Sequence, residues 1–284
     1  MADAYIVVLD VTADAVRALL FDSEARRVEG YAAQLPRRAD AAADCLDEMH
    51  RLVQAAGFRV AAVAGRAESE VTPEDRAAWP GFAGAAWFPA LAEGAGVMLG
   101  SGCVSSQSLA LVMGDAGMLG TVVERQISVD GLTCLPIDEK RWMVSGAVPE
   151  AGLGYTSLRR AIKGSVEKYL VDAAADDPLL AGIDAAARRF AEIYRTLVGD
   201  SAAPQVIACG AALLKSPALT QRIADAVGVA LTLSTEPEAG CRGSALWALE
   251  RIGAIGELGA LPASMGPVVE PKVGVTASDG RGSV

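Results

Sequence analysis

Val, Leu and aromatic residues crowd the stretches Tyr5 to Asp10, Ala15 to Phe21 and Arg27 to Leu35, separated by short polar turns, which predicts three β segments in a meander. Helical spacing of Leu46, Met49, His50, Leu52 and Val53 predicts a helix over Asp40 to Ala56, and the apolar run Phe58 to Ala64 predicts a buried strand. Between Arg66 and Pro89 the periodicity gives way to Pro, Gly and Trp among acidic residues, the pattern of a linker or short irregular excursion.

A second series of alternating segments then begins. Ser108 to Met113, Met118 to Val123, Gly131 to Pro136 and Arg141 to Ser145 predict strands, followed by helices over Leu153 to Ile162, Val166 to Ala175 and Ile183 to Val198. A strand at Gln205 to Cys209, a helix at Ala212 to Val227, a strand at Ala230 to Ser234 and a helix at Gly240 to Ile252 complete it. Two successive sheet-plus-helix series are the outline of a duplicated α/β fold, with a first domain over residues 1-100 and a second over 101-260. Residues 261-284, rich in Pro, Gly, Ser and Val and without periodicity, read as a flexible tail.

Composition narrows the function classes. The 284 residues are 52% hydrophobic and 5% aromatic, enough for a core of Ala, Val, Leu and Ile. A net charge of -10 argues against DNA or RNA as partner, because phosphate backbones recruit clustered Lys and Arg. No apolar run reaches the ~18 residues of a membrane span, and no basic leader precedes the first strand, so the expected location is cytoplasmic. Five cysteines, Cys45, Cys103, Cys134, Cys209 and Cys241, lack CxxC spacing and read as reduced, mostly buried small hydrophobes. His50, the sole histidine, reads as a helix-surface residue, which speaks against a Ser-His-Asp triad or a histidine-rich metal site.

Three stretches resemble the FGGY carbohydrate kinases, especially their gluconate and xylulose kinase branch. LDVTADAVRALLFD, Leu9 to Asp22, is similar to the family's opening β-hairpin. LAEGAGVMLGSGCVSSQSLALVMGDAGMLG, Leu91 to Gly120, resembles the segment that carries the catalytic carboxylate and enters the second lobe. The long stretch from Val206 to Gly253 resembles the adenosine-side strand and helices, and Leu132 to Ile162 follows the family's strand pair leading into a Gly-rich helix start. The resemblance implies the actin-like ATPase (ribonuclease H-like) duplicated fold, with two lobes around a cleft. The first lobe is read as shortened, because only Gly65 to Ala90 stands where the family carries a long sugar-contacting segment.

The resemblance also assigns positions. Asp10 matches the first-strand aspartate that helps place Mg²⁺, and Glu93 aligns with the catalytic base. The family's Gly-Thr-Thr-Ser type of loop is replaced by Thr12, Ala13, Asp14 and Ala15. Its Gly-Thr-Ser-Gly loop becomes Gly114, Asp115, Ala116 and Gly117, and its Gly-Gly-Ala element becomes Gly210, Ala211 and Ala212. Asp14 and Asp115 thus place like charge where phosphate binds, a repulsion of about 4 kcal/mol at ~4 Å for an effective dielectric near 20. As solvent-facing turn residues they would be innocuous.

Two readings follow. In one, the protein keeps the kinase scaffold but has lost ordinary sugar phosphorylation, and it binds a small molecule in the interlobe cleft or a protein partner, or runs other chemistry on Asp10, Asp14, Glu93 and Asp115. In the other, it is an active small-molecule kinase with atypical loops, and only then are ATP and Mg²⁺ its cofactors. Either is compatible with a homo-oligomer, for which Trp79, Phe82, Trp87 and Phe88 are candidate contact residues if they do not form a core cluster.

Overall fold

The first strand, β1 (Tyr5–Val11), is apolar almost end to end because both of its faces are covered. It pairs antiparallel with β2 (Ala15–Phe21), which pairs antiparallel with β3 (Arg27–Pro36). Helix α1 (Ala41–Ala56) ends at Gly57, whose φ of 71° lies in the left-handed region that favours glycine. It turns Cys45, Leu46, Met49 and Val53 onto the sheet, and β4 (Val60–Ala64) follows, parallel to β1. The computed structural model describes residues 4–114, 117–174, 177–199 and 204–272.

The stretch expected to be a linker or short irregular excursion holds short elements packed on the first sheet. A capping box, in which Thr72 and Asp75 exchange side-chain and backbone hydrogen bonds, starts the short helix α2 (Pro73–Ala78). After it, β5 (Ala86–Phe88) extends the sheet in parallel beside β4, giving the order β3-β2-β1-β4-β5. Two residues one turn apart on α1 hold the excursion: Asp47 accepts from the Trp79 indole, and His50 Nε2 accepts from the Gly81 amide at 2.8 Å. His50 is therefore buried, edge-on to Phe82 at 5.3 Å, and is not the surface residue its sequence position suggested. Trp79, Phe82 and Trp87 are core residues, with Trp79 and Trp87 stacked at 5.9 Å. They cannot serve as a contact surface, and Phe88 is half-buried against Trp247 at 5.4 Å. Helix α3 (Glu93–Gly100) completes the first run.

The second sheet begins with β6 (Ser108–Met113), β7 (Gly117–Val123), β8 (Thr133–Pro136) and β9 (Trp142–Val148), all paired antiparallel. Helices α4 (Glu150–Ala161), α5 (Val166–Asp172) and α6 (Ala181–Val198) follow, then β10 (Gln205–Cys209), parallel to β6. The single helix expected over Ala212 to Val227 is two, α7 (Ala211–Lys215) and α8 (Pro217–Val227). Pro217 cannot continue a helix but fits a first turn, and the Ser216 hydroxyl caps it by accepting from Leu219. β11 (Leu231–Ser234) lies parallel to β10. Ile183, Phe190, Leu219 and Ile223 lie at the centre of this unit's core.

Helix α9 (Ala239–Arg251) returns to the first unit, which comprises Met1–Val104 and Glu236–Ser264. The second unit comprises Ser105–Thr235 and Met265–Val284. Glycine decides this: a Cβ on Gly243 would lie 1.9 Å from the Gly96 carbonyl oxygen, and one on Gly100 would lie 1.7 Å from that of Ala239. Helices α3 and α9 thus cross backbone against backbone, and α9 also packs on β1 and β4. The expected tail is partly a strand, β12 (Met265–Val269), paired antiparallel with β11; residues 273–284 lie outside the described set. None of the described helices is long and apolar enough to cross a membrane.

Candidate functional site

Parallel strands bring their carboxyl ends to one edge of a sheet, the usual place for ligands in α/β folds. In the first unit β1, β4 and β5 run parallel, so Asp10 near the end of β1, Gly65 just after β4, and Glu93 a few residues beyond β5 belong to the same edge. Gly65 has φ of 106°, and a Cβ there would lie 2.1 Å from the Leu9 carbonyl oxygen. Only glycine lets the chain turn so close to β1.

Asp10 stands opposite Arg17 in the β1–β2 register. Arg17 donates to Asp10 Oδ2 from Nε at 3.1 Å and Nη2 at 2.6 Å, and from Nη1 to Glu238 Oε1 at 2.9 Å. Burial works against the Arg17 charge, but the two carboxylates outweigh it and hold the guanidinium above its ordinary range. Glu238 caps α9 from the left-handed region, with φ of 56°, an uncommon conformation for a residue bearing a Cβ. Cys241, in the first turn of α9, is pushed up to about 12, chiefly by burial and then by the negative charge of Asp10. Burial thus disfavours its thiolate, the form that acts as a nucleophile.

The tip between β1 and β2 is a tight turn in which the Thr12 hydroxyl donates to the Ala15 carbonyl at 3.0 Å and accepts from its amide at 3.1 Å. Arg37 ties it down, donating from Nη1 to the Thr12 carbonyl at 3.1 Å. No residue of the tip has positive φ, so replacing the family's glycine costs no strain. Asp14 is exposed at the tip, and Glu93 is exposed at the start of α3.

In the second unit, β6, β10 and β11 run parallel, and Val112 of β6 pairs with Cys209 of β10. Gly114 and the Gly210–Ala211 pair therefore leave adjacent strands at the same edge. Gly210 has φ of 116°, and a Cβ there would be 2.2 Å from the Met113 carbonyl oxygen, so packing between the two loops already demands glycine. Gly117 opens β7, where a Cβ would lie 2.6 Å from the Ala151 Cβ and 2.9 Å from the Val148 carbonyl oxygen. Asp115 lies outside the described residues.

Sequence reasoning missed Arg17 and Glu238. A charged residue within the apolar strand AVRALLF was the available signal for the first, since an inward Arg needs a carboxylate partner. Glu238 lies 221 residues from Arg17 along the chain and gave none.

No family model matches the sequence, and no curated protein sequence matches it. Among solved structures the chain is similar to ligand-bound xylulose kinase from Lactobacillus acidophilus, with a TM-score of 0.74, 12% identity and coverage of 94% of this chain and 94% of that one. It is similar to gluconate kinase from Lactobacillus acidophilus, with a TM-score of 0.69, 13% identity and coverage of 95% and 94%. Plasmodium falciparum glycerol kinase with ADP gives a TM-score of 0.69, 7% identity and coverage of 95% and 94%. The chain has the fold of the FGGY sugar kinases, the two-lobe actin-like ATPase fold, as its motifs implied.

Proposed function

We propose that this chain is a sugar-kinase-fold protein that has lost the usual ATP-dependent phosphorylation of sugars and has been turned to ligand or partner binding or to other chemistry. The observation that carries this reading is the closed charge network Asp10–Arg17–Glu238. A carboxylate that is to help place Mg²⁺ must be free to face the metal and the substrate phosphates. Here Arg17, a permanent cation, already neutralises Asp10 through two hydrogen bonds and is held in place from behind by Glu238. Charge-assisted bonds of this kind contribute roughly 1.5–3 kcal/mol each. The residues as they stand do not fit the metal. The acidic tip at Asp14 and the hydroxyl-free run Gly114 to Gly117 support the same reading.

The gathering of Asp10 and Glu93 at one sheet edge favours a second reading, an active kinase for a small hydroxylated molecule that uses ATP and Mg²⁺ with atypical phosphate loops. Calorimetric titration with ATP and Mg²⁺ separates the two, run on the wild type beside Asp14→Thr and Asp115→Thr. The expected result is no binding by the wild type and weak binding gained by the variants. Micromolar binding by the wild type, with phosphate transfer to a sugar or polyol, would overturn the first reading and establish the second.

A further inference from the structure

We propose that two copies of this chain pair through β3, edge to edge and antiparallel, so that their two first-unit sheets continue into one. β3 is the outer strand of its sheet and, among the described residues, is hydrogen-bonded on one side alone, to β2. The other sheet edges are blunted: β5 has three residues, β8 has four and ends at Pro136, and β12 carries Pro267. β3 has ten residues, and its register with β2 is regular from Ala32 to Pro36. No charged residue stands between Gly30 and Pro36, and an open, uncharged edge is a template for another strand. The pairing is independent of whether the chain binds ATP.

The ladder fixes which backbone groups are open. Antiparallel partners alternate between pairs that exchange both hydrogen bonds and pairs that exchange none. The Arg37 amide donates to the Asp14 carbonyl at 3.0 Å, so Ala15 and Pro36, next along the ladder, exchange none, in keeping with the amide that proline lacks. By the same alternation Arg17 and Gln34 exchange none, and neither do Leu19 and Ala32. The amides and carbonyls of Gln34 and Ala32 therefore point away from β2, and both residues are exposed.

A second copy fits this row of groups. With Ala33 on a two-fold axis, Ala32 of one copy stands opposite Gln34 of the other, and their outward amides and carbonyls meet as two hydrogen-bonded pairs. The same register sets Tyr31 against Leu35, apolar residues left half-buried at the rim of the first core, so pairing takes more of their surface from water. The charged residues nearest the run on either side are Glu29 and Arg37, both exposed. This register brings Glu29 of one copy level with Arg37 of the other, opposite in sign. A self-complementary contact of this kind uses both open edges and closes as a dimer, where a head-to-tail contact would grow a fibre. Stable interfaces bury roughly 1,200–2,000 Å², more than one strand pairing supplies, so the association is reversible and depends on concentration.

The test is sedimentation velocity of the full chain over a wide concentration series, with hydrogen exchange on the same samples. The expected result is a mass that rises with concentration from 29.1 kDa toward twice that value. Gln34→Pro removes an outward amide and nothing from the ladder with β2, and it should weaken the dimer about tenfold or more with the urea midpoint unchanged. Glu29→Arg sets like charges level across the axis and should weaken the dimer at low salt more than at high salt. The amides of Ala32 and Gln34 should be protected from exchange in the dimer and lose that protection on dilution. Should Gln34→Pro lose its fold by circular dichroism, Ala32→Lys with Gln34→Lys, which places like charges opposite each other, is expected to give the same loss. A wild type that stays monomeric throughout, a dimer left at full strength by Gln34→Pro or by Glu29→Arg, or protection of the two amides that persists in the dilute monomer because another segment of the chain covers the edge, would overturn the proposal.

Discussion

Arg17 faces Asp10 across the β1–β2 register and places two of its donors, at 3.1 and 2.6 Å, on a single carboxylate oxygen, Oδ2. Both side chains are about three-quarters buried, with exposures of 24% and 29%, so the pair is shielded more than a surface ion pair yet still reached by water. Arg17→Met should destabilise the first unit by about 2 kcal/mol in urea unfolding, because two carboxylates lose their partner. Combined with Asp10→Asn in a double-mutant cycle, it should show a coupling of about 1 kcal/mol. Strict additivity would mean that the contact carries no energy.

Helices α3 and α9 meet where Gly243 approaches Gly96 and Gly100 approaches Ala239. A methyl group at Gly243 would stand 1.9 Å from a backbone oxygen that belongs to the opposing helix and cannot swing aside. Gly243→Ala should therefore cost about 3 kcal/mol, the upper range for overpacking. Gly84→Ala, where nothing lies within 4 Å, should change stability little. A midpoint shift of similar size in both variants would refute the close-crossing account.

His50 gives the protein a readable pH dependence. Burial lowers its pKa below the ordinary 6.5, with nearby Asp47 opposing, so the folded state binds a proton less readily than the unfolded state. Its contribution is complete above that ordinary value and is lost as pH falls through 6.5 toward the lower folded value. Protonation also removes the Nε2 lone pair that accepts from Gly81. Urea midpoints should fall between about pH 7 and pH 5, and His50→Gln should flatten that slope. As His50 is the sole histidine, no other imidazole confuses the reading.

Thiol chemistry checks the surroundings of Asp10. Cys241 is pushed up to about 12 and is buried, whereas Cys134 is half-buried on β8. A disulfide exchange reagent at mildly alkaline pH should label Cys134 in the native protein and the other four cysteines only after unfolding. Native labelling of Cys241 would show that the start of α9 is open and its burial not maintained.

Much of the fold was legible in the chain, since strand and helix periods come from local burial and survive in short windows: the three opening strands, α1, β4 and most of the second unit lie close to where the pattern puts them. The break at Ser216–Pro217 and the strand after residue 264 were written there too, but in single residues that a periodicity average dilutes. The chain alone also set the chemistry on offer: one histidine, five cysteines without CxxC spacing, an acidic balance, and the carboxylates Asp14 and Asp115.

Tertiary structure decided the rest. It made His50 a core acceptor by folding the Arg66 to Pro89 stretch over α1, and it buried the aromatic residues that local pattern left open. It carried α9 back to the first unit because two glycine-bearing helices can approach more closely than any pair with side chains at the crossing. It also joined Asp10 to Glu238 through Arg17, a pairing of residues more than two hundred positions apart that no local period encodes. Charge networks and backbone crossings depend on where distant segments meet, and that is set only when both sheets have formed and their helices have packed.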